Sequence, residues 1–367
     1  MSGAVVSLFS GGGGLDLGLA MADFDTRVAV EWERYACHTL RENRDRRVRL
    51  SNGHVYLDGC EVIESDVRAV SSDQILDAGR LQPGEAMLLA GGPPCVTFSV
   101  AGRREGLTSE TGRLFEEYVR VLEAIRPVGL VYENVKGLLT AVGSDGTPGG
   151  AFAEIRHAIE SAGYAISWRL VNAADYGVPQ QRERVIILGL RGDKAPGFPD
   201  PTHQDPSAVS FGRQPWLTVG DVIRDLPPAA PYGEDPEIAN HIARRHSADV
   251  LESFAQTPPG KRNDRFKRDR LRWDRPSKVI RAQGKPKADG SGQKNSSHQA
   301  LHPEAHRQLT PRECARIQTF PDWYWLPKTF VNSYRILGDA VPPLLGQVLG
   351  QHMASVIADH ASEPIAA

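Results

Sequence analysis

The sequence predicts an α/β protein with a doubly wound, Rossmann-like sheet, followed by a smaller segment of different composition. Three observations predict this fold class. Short apolar strands alternate with amphipathic helices over the first half of the chain, a pattern typical of parallel sheets covered by helices. A glycine-rich turn joins the first strand to the first helix. From residue 195 onward prolines become frequent and helical periodicity fades, so a second domain is expected within the 367 residues.

The composition predicts a soluble protein with a large packed core. Hydrophobic residues make up 40% and charged residues 24% of the chain, and the formal net charge is −2. No apolar run approaches the length of a membrane span, and the first residues lead into a strand without the segments of a signal peptide. The four cysteines show no C-x-x-C spacing, which argues against a zinc site or a disulfide framework. We therefore expect a cytoplasmic protein with neither a membrane partner nor a metal.

The first candidate ligand site is a glycine run between the first strand and the first helix. Ala4–Phe9 is an apolar strand, Ser10 and four glycines follow, and Leu15–Ala22 has the apolar spacing of a helix. Such a turn directs helix amides at a bound nucleotide. It is not the dinucleotide fingerprint, because Asp16 stands at the third glycine position, and it is not a P-loop. From the glycines alone, a plain tight turn is an equally good interpretation.

Polar residues at the ends of the next two strands indicate what this turn binds. Thr26–Glu31 is predicted to be the second strand, and its terminal Glu31 has the spacing from the glycine run at which a carboxylate holds a ribose diol. Trp32 would stack on an adenine ring or pack in the core. Asp66 follows the strand Glu61–Ser65 and could accept a hydrogen bond from an adenine amino group. Together these residues indicate an adenosine-containing cofactor and leave NAD and S-adenosylmethionine both open.

A cysteine follows the next apolar strand, Met87–Ala90. Two glycines and the prolines Pro93 and Pro94 separate the strand from Cys95, so the thiol is expected at the strand's C-terminal end, where open α/β sheets bind ligands. A thiol with a lowered pKa is a strong nucleophile. A buried, inert cysteine is the alternative interpretation.

A carboxylate is expected at the same edge of the sheet. The strand Gly129–Tyr132 ends in Glu133, which places this side chain beside Cys95. The polar, glycine-containing span after Cys95 is expected to be a mobile loop over the site, and its Arg103 and Arg104 are candidates for phosphate contacts.

Two arginines precede the last strand of the alternating region. The helix Phe152–Ala162 leads to the strand Tyr164–Leu170, and Val185–Gly189 closes the region. Arg182 and Arg184 lie just before this last strand. From the residues alone, a salt-bridged edge strand is the simpler interpretation of the two arginines.

A basic stretch indicates a nucleic-acid surface. Residues 261–287 carry twelve Lys or Arg against three Asp, a local net charge of +9, with Phe266 and Trp273 among them. A solvated charged face is the alternative. Period-2 spacing would place three arginines on one face of a strand, and two further basic residues lie in the glycine-containing segment beyond it. These candidates are Arg268, Arg270, Arg272, Arg281 and Lys285.

Regular structure is expected again after residue 305. Thr310 is predicted to cap a helix, with a proline at the first helical position and Glu313 as the reciprocal partner. The apolar-periodic helix after Pro343 needs a sheet to pack on, so both chain ends are expected in one domain. The predicted domains are 1–194 plus 305–367 for the large one and 195–304 for a smaller, mostly irregular or β domain.

Taken in order, these segments resemble the DNA (cytosine-5) methyltransferases. The resemblance covers about 1–192 and 305–360, with the family's variable target-recognition region between them. The motifs that carry it are Phe9-Ser-Gly-Gly-Gly-Gly14, Glu31-Trp32, Asp66, Pro93-Pro-Cys95, Glu133-Asn-Val135, Gln180-Gln-Arg-Glu-Arg184, Leu309-Thr-Pro-Arg-Glu-Cys-Ala-Arg316 and Gly338-Asp-Ala-Val341.

The resemblance implies a Rossmann-like, S-adenosylmethionine-dependent methyltransferase domain with a target-recognition domain. Cys95 looks like the nucleophile, Glu133 and Arg184 like the pair that holds the target base, and Arg182 like a support for the catalytic loop. The implied partner is double-stranded DNA, so the protein is expected at the nucleoid, and it is expected to be a monomer. Cognate restriction or defence proteins are further implied partners. S-adenosylhomocysteine is the implied product and no metal is implied. The implied cofactor-binding residues are Phe9, Ser10, Gly11, Gly13, Gly14, Glu31, Trp32, Asp66, Pro93, Asp339 and Ala340.

Three positions depart from the family pattern, and other functions compete with this one. Val96 stands where the family usually has Gln, Asp339 replaces the usual Asn, and Ala340 replaces a frequent Ser. The tRNA cytosine-5 methyltransferases share the fold, although the long basic insert favours duplex DNA. A non-catalytic DNA-binding module is disfavoured by the complete set of catalytic residues. An NAD dehydrogenase would leave Cys95 and Glu133 without a role.

Overall fold

The computed structural model describes residues 3–94, 114–208, 212–282 and 299–362. Its contacts divide the chain into two compact units. The first, here called the sheet unit, comprises Met1–Asn172, Glu183–Asp200 and Leu345–Ala367, and the second unit comprises Ala173–Arg182 and Pro201–Leu344. This grouping places residues 305–344 in the second unit, whereas the sequence-based division assigns them to the large domain.

The sheet unit is built on a mixed sheet. Its strands are β1 Gly3–Leu8, β2 Phe24–Glu31, β3 Glu61–Glu64, β4 Leu88–Gly91, β5 Gly129–Val135, β6 Tyr164–Asn172 and β7 Glu183–Arg191. Within the described residues the strand order is β3-β2-β1-β4-β5-β7-β6. The first five strands pair in parallel, and β7 runs antiparallel to both β5 and β6. The expected α/β Rossmann-like class is confirmed.

The helices follow the predicted alternation with the strands. They are α1 Gly14–Met21, α2 Arg34–Asp45, α3 Ser72–Gly79, α4 Leu114–Ile125, α5 Gly150–Ser161, α6 Val219–Ile223, α7 Ala248–Ala255, α8 Pro311–Ile317, α9 Phe330–Asp339 and α10 Pro343–Ser362. Helix α4 shows why they form, because apolar residues that recur every three or four positions make up its buried face. The hydroxyl of Tyr118 on this helix donates to the Leu89 carbonyl, 3.0 Å away, and ties α4 to the central strand β4.

Successive strands are added toward one edge of the sheet from β1 to β3 and toward the other edge from β4 to β5, so β1 and β4 are the neighbours at which the strand order reverses. Leu8 and Gly91, the last residues of these strands, lie opposite each other in the ladder. The turn after β1 and the segment after β4 therefore start side by side. This is the position at which open α/β sheets bind ligands, since the adjacent connections diverge there and leave a crevice.

The C-terminal helix α10 packs against α1, the helix of the glycine turn. The Gln347 side chain donates to the Met21 carbonyl, 3.4 Å away. At Gly350 a Cβ would lie 2.8 Å from the Ala22 Cβ, so the absence of a side chain is what allows α10 to approach this closely. The two ends of the chain thus belong to one unit.

Strands β5 and β7 are longer than predicted, and this difference concerns the site. β5 continues through Glu133 to Val135, and β7 begins at Glu183. The antiparallel ladder between them extends to the pair Val135–Arg184. Glu133 and Arg184 therefore lie within strands, because pairing between strands distant in sequence extends each strand beyond its apolar run.

The second unit has little regular structure beyond α6 to α9. The strands β8 His203–Gln204 and β9 Gln214–Pro215 form a two-stranded parallel sheet. The predicted cap of α8 is confirmed: the Thr310 hydroxyl accepts from the Glu313 amide, and the Glu313 carboxylate accepts from the Thr310 amide. None of the helices in the described part of the chain is long and apolar enough to cross a membrane.

Candidate active site and cofactor turn

The register between β5 and β7 joins two of the predicted catalytic residues. Glu133 lies opposite Ile186, and Arg184 is the residue two positions before Ile186 on the same face of β7. The Arg184 Nε donates to Glu133 Oε1 at 2.8 Å, and the two side chains are only 12% and 14% exposed. Arg184 also donates through Nη1 to the Glu183 carbonyl, 2.8 Å away. The result is a fixed carboxylate and guanidinium at the end of the sheet.

Gly92 lets this carboxylate lie against the segment that follows β4. A Cβ at Gly92 would be 2.7 Å from Glu133 Oε2 and 2.6 Å from the Glu133 carbonyl oxygen. Both distances are too short for a carbon, so only glycine leaves room for the observed Glu133 conformer. In the sequence this glycine indicates only the exit from a strand, and no local pattern there indicates its contact with Glu133.

Asn134 fixes the next part of the same segment. Its side-chain nitrogen donates to the Pro93 carbonyl at 3.2 Å, and its oxygen accepts from the Val135 amide at 2.9 Å. Asn134 is buried, so these bonds replace water and hold Pro93 against β5. The expected cofactor contact of Pro93 stays a prediction, and its observed partner is Asn134. Cys95 follows two residues later and lies outside the described residues, as do Arg103, Arg104 and Lys285.

Gly92→Ala is expected to lower kcat by up to about a hundredfold, because the added methyl displaces the Glu133 carboxylate from its position. Steady-state methylation with tritiated S-adenosylmethionine measures the effect. Gly79→Ala is the matched control, since its Cβ would meet only side-chain atoms, those of Leu81 at 3.2 Å and Val28 at 3.4 Å. Equal kcat values for the two variants would contradict the role of Gly92.

The glycine turn after β1 is shaped by backbone conformation and by Glu31. Gly11 and Gly13 have φ of 53° and 75°, the left-handed region that glycine adopts without strain. Glu31 Oε2 accepts from the Gly11 amide at 2.8 Å, and Oε1 accepts from the amides of Trp32 and Glu33 at 2.9 and 2.8 Å. Glu31 thus holds the turn at the end of β2, and the contact with a ribose diol that its spacing indicates stays a prediction.

The same carboxylate keeps an acceptor position for a ligand. A carboxylate has about four lone-pair sites, and the three backbone amides use three of them. Burial raises the pKa of Glu31, and the hydrogen bonds from the Glu33, Gly11 and Trp32 amides oppose this shift. Beside it, Trp32 is 56% exposed, a large aromatic surface next to the turn. A hydroxyl-bearing, adenine-containing group such as S-adenosylmethionine fits this donor and acceptor set.

A buried carboxyl group under the turn was not among the predicted site residues. Asp16 on α1 accepts from the Thr26 hydroxyl at 3.1 Å and interacts with the Ser7 hydroxyl, to which Ser10 donates at 2.8 Å. Burial raises the pKa of Asp16 to about 6, against the lowering effect of the hydroxyl hydrogen bonds. These groups link α1, β1 and β2 beneath Ser10. An acidic residue among apolar ones in α1 was the signal in the sequence.

Of three residues expected to contact the cofactor, one is paired with another side chain and two belong to the second unit. Asp66 forms a two-point ion pair with Arg68, at 3.0 and 2.7 Å, and this hydrogen-bonded partner lowers the Asp66 pKa. Asp339 is exposed at the end of α9, and Ala340 follows it, both in the second unit. Their proposed contacts with the cofactor, like those of Phe9, Ser10 and Gly14, stay predictions.

Arg182 belongs to the second unit and is completely buried there. Its Nη2 donates to the Gly338 carbonyl at 2.9 Å and its Nη1 to the Ile280 carbonyl at 3.4 Å. The neighbouring Gln180 bonds to Gln318 and to the Ile280 amide, both at 3.0 Å. Arg182 therefore fixes the segment before residue 282 against the end of α9. Its predicted support of the catalytic loop concerns residues outside the described part of the chain.

The arginines of the basic stretch have different environments. Arg270 is 3% exposed and donates to the Phe254 carbonyl and to four carbonyls of residues 302–305, which is a structural role. Arg272 is exposed and ion-paired with Asp274 at 2.6 Å. Arg281 is exposed. The expected strand is absent among these described residues, where isolated bridges such as Arg262–Asp269 hold the chain instead.

The strand order and the helices around the sheet are those of an α/β Rossmann-like fold, which solved methyltransferase structures share. A solved structure from E. coli, titled as a putative DNA modification methyltransferase encoded within a prophage, matches with a TM-score of 0.71 at 23% identity over 97% of this chain and all of that one. A mutant of DNMT2 from Spodoptera frugiperda matches with a TM-score of 0.60 at 15% identity, over 96% and 100% of the two chains. At these identities the likeness concerns the fold.

The chain belongs to the C-5 cytosine-specific DNA methylase family, whose model matches residues 3–355. It is 34% identical to the type II methyltransferase M1.HphI of Haemophilus parahaemolyticus over 96% of this chain and 86% of that protein. It is 40% identical to the type II methyltransferase M.AquIA of Picosynechococcus sp. over 63% of this chain and 92% of that protein. The expected family is confirmed, and with it a methyltransferase that acts on DNA.

Proposed function

We propose that this chain is a sequence-specific DNA cytosine-5 methyltransferase that transfers a methyl group from S-adenosylmethionine to C5 of a flipped-out cytosine. The transfer proceeds through a covalent Cys95–C6 adduct, within a restriction-modification or related defence system. The observation that carries the proposal is the Glu133–Arg184 pair against Gly92. Cys95 comes three residues after Gly92, a span of at most about 11 Å.

The chemistry of cytosine requires these residue types. C5 is too weak a nucleophile to take a methyl group unaided. Attack of the Cys95 thiolate on C6 forms a C–S bond and shifts the ring's electron pair toward C5, which becomes nucleophilic. S-adenosylmethionine, when bound, supplies an electrophilic methyl group. The transfer leaves S-adenosylhomocysteine as the product of the cofactor. The C5 proton then passes to solvent, its bonding electrons re-form the C5–C6 double bond, and the C6–S bond breaks to release the thiolate.

Glu133 and Arg184 would stabilise charge while the adduct forms. Glu133 shares a proton with N3 and accepts from the exocyclic amine, whereas Arg184, a permanent cation, donates to O2, where negative charge develops. Their mutual bond fixes the two side chains before the base arrives, so little reorganisation is needed. A base inside the duplex could not reach these groups, which is why the target must be flipped out.

Bisulfite sequencing of DNA from a host that expresses the protein tests this function. Cytosines at one recurrent sequence are expected to be protected from conversion by bisulfite. A host that expresses Cys95→Ser is the control, and its DNA should show no such protection. Purified protein would also be offered duplex DNA and tRNA in parallel. Methylation confined to tRNA, or absence of any methylated cytosine with folded protein, would overturn the proposal.

Glu31→Gln is expected to weaken S-adenosylmethionine binding roughly 10- to 100-fold. The amide has only one acceptor oxygen, so the Gly11 amide or the ribose loses its partner. Calorimetric titration with the cofactor measures the change. Glu64→Gln, at the end of the neighbouring strand β3, is the control, since its carboxylate pairs with Arg41 at the surface. Unchanged affinity of Glu31→Gln would place the cofactor elsewhere.

A further inference from the structure

A cationic cluster in the second unit lies outside the site described above. It consists of Arg244, His246 and Arg268, all partly buried. The Nε and Nη1 of Arg268 and the Nε2 of His246 are buried atoms without a hydrogen-bond partner. A buried guanidinium whose donors lack acceptors is unfavourable, because it has lost its water and gained nothing in exchange. Such an arrangement calls for an acceptor from outside the chain.

The charges around the cluster do not supply that acceptor. Burial, followed by the positive charge of Arg244, lowers the pKa of Arg268, and burial with Arg244 and Arg268 lowers that of His246. Among the described residues, no carboxylate contributes to the pKa shift of Arg268 or of His246. Tyr334 also acts on Arg268, but burial raises its pKa well above the usual value, so this phenol stays neutral.

The chain holds Arg268 in place independently of any ligand. The Asn263 amide donates to the Arg268 carbonyl at 2.6 Å, and the Asn263 side chain bonds to Thr257 at 2.8 Å and accepts from the Phe266 amide at 2.7 Å. His246 packs edge-on against Phe254, with ring centroids 5.3 Å apart. The backbone of Arg268 and the ring of His246 are therefore held in place before an anion binds, which lowers the entropy lost on binding.

We propose that Arg244, His246 and Arg268 bind one phosphodiester group of the DNA backbone. This inference rests on the proposed function, which makes duplex DNA the substrate. A phosphate brings a full negative charge and several acceptor oxygens to the buried nitrogens of Arg268 and His246 that lack a hydrogen-bond partner. The edge of a base brings neutral acceptors only and carries no negative charge to set against the Arg268 guanidinium. The cluster thus fixes the position of the DNA without reading its sequence.

Arg268→Met tests the proposal in two measurements. DNA binding, followed by fluorescence anisotropy over a salt series, is expected to weaken at least about tenfold at low salt. The slope of log K against log salt should fall by about one, to the same extent for cognate and scrambled duplexes. Without DNA, the variant should unfold at a higher temperature than the parent, because a buried, unpaired charge has been removed.

Two further variants sharpen the test. Arg265→Met removes the same charge from the same stretch, but Arg265 already pairs with Asp249 at 2.6 Å, so its binding should stay within about twofold of the parent. Arg268→Lys keeps a point charge and should retain much of the binding. If Arg268 read a base through two parallel hydrogen bonds, lysine could not replace it.

Three results would overturn the phosphate site. They are an unchanged salt slope in Arg268→Met, a loss confined to one base position of the cognate sequence, and an equal loss in Arg265→Met. Methyl transfer at saturating DNA separates this proposal from the proposed function. Methylation by the parent together with unchanged DNA binding of Arg268→Met would count against the phosphate site alone, whereas absence of methylation from the parent itself would count against the methyltransferase assignment.

Discussion

Cys95→Ser is expected to lower the rate of methyl transfer by at least about a thousandfold, because a hydroxyl forms no appreciable anion at neutral pH whereas a thiol does. The side chains differ by one atom, so the fold and the binding of DNA should be unaffected. Transfer of a tritiated methyl group to duplex DNA measures the rate, and anisotropy with the same duplex measures binding.

A duplex with 5-fluorocytosine at the target position tests the adduct itself. Fluorine cannot leave C5 as the proton does, so the methylated base should remain bonded to the protein and survive denaturing electrophoresis. The parent is expected to form this complex and Cys95→Ser is not. Cys37→Ser is a control for the loss of a thiol, since Cys37 is a buried free cysteine whose pKa burial raises to about 12. An adduct formed equally by Cys95→Ser would assign the nucleophile to another residue.

Glu133→Gln is expected to lower kcat roughly 10²- to 10⁴-fold, the usual contribution of a positioned acid or base. The amide oxygen can still accept from Arg184 Nε, so the geometry at the end of β5 should persist. What is lost is the group that shares a proton with N3 of the base. Single-turnover methylation measures the chemical step without product release.

Glu183→Gln is the matched control for this prediction. Glu183 is the residue before Arg184 on β7, and its carboxylate pairs at 2.9 Å with Lys136, where both side chains are about half exposed. An exposed pair of this kind contributes little. Comparable rate losses in the two variants would show that the site responds to charge in general and that Glu133 has no particular role in the chemistry.

Much of the fold could be predicted from the sequence, because its signals are local. The alternation of strands and helices, the glycine turn before α1 and the capping box from Thr310 to Glu313 each depend on neighbours within a few residues. The spacing from the glycine turn singled out Glu31, whose carboxylate accepts from the Gly11 amide, while its bond to a ribose stays a prediction. The family followed from the order of such motifs along the chain.

The site was predicted as a set of residues but not as a geometry. Glu133 and Arg184 were expected near one edge, yet their contact depends on the antiparallel register of β5 and β7. The contacts of Gly92 with Glu133 and of Asn134 with Pro93 join separate strands of the sheet. Pairing of this kind is set by the whole sheet, and a local pattern carries no information about it.

The basic stretch shows most clearly what only the tertiary structure decides. By sequence, Arg268 and Arg270 are equivalent: the same residue type, two positions apart, in the same charged run. In the folded chain Arg270 is surrounded by backbone carbonyls and holds a loop, whereas two donors of Arg268 are left without an acceptor. Sequence alone determined that positive charge accumulates in this segment. Which charge is already satisfied depends on carbonyls from residues 254 and 302–305, brought in by folding, because hydrogen bonds act only at short range.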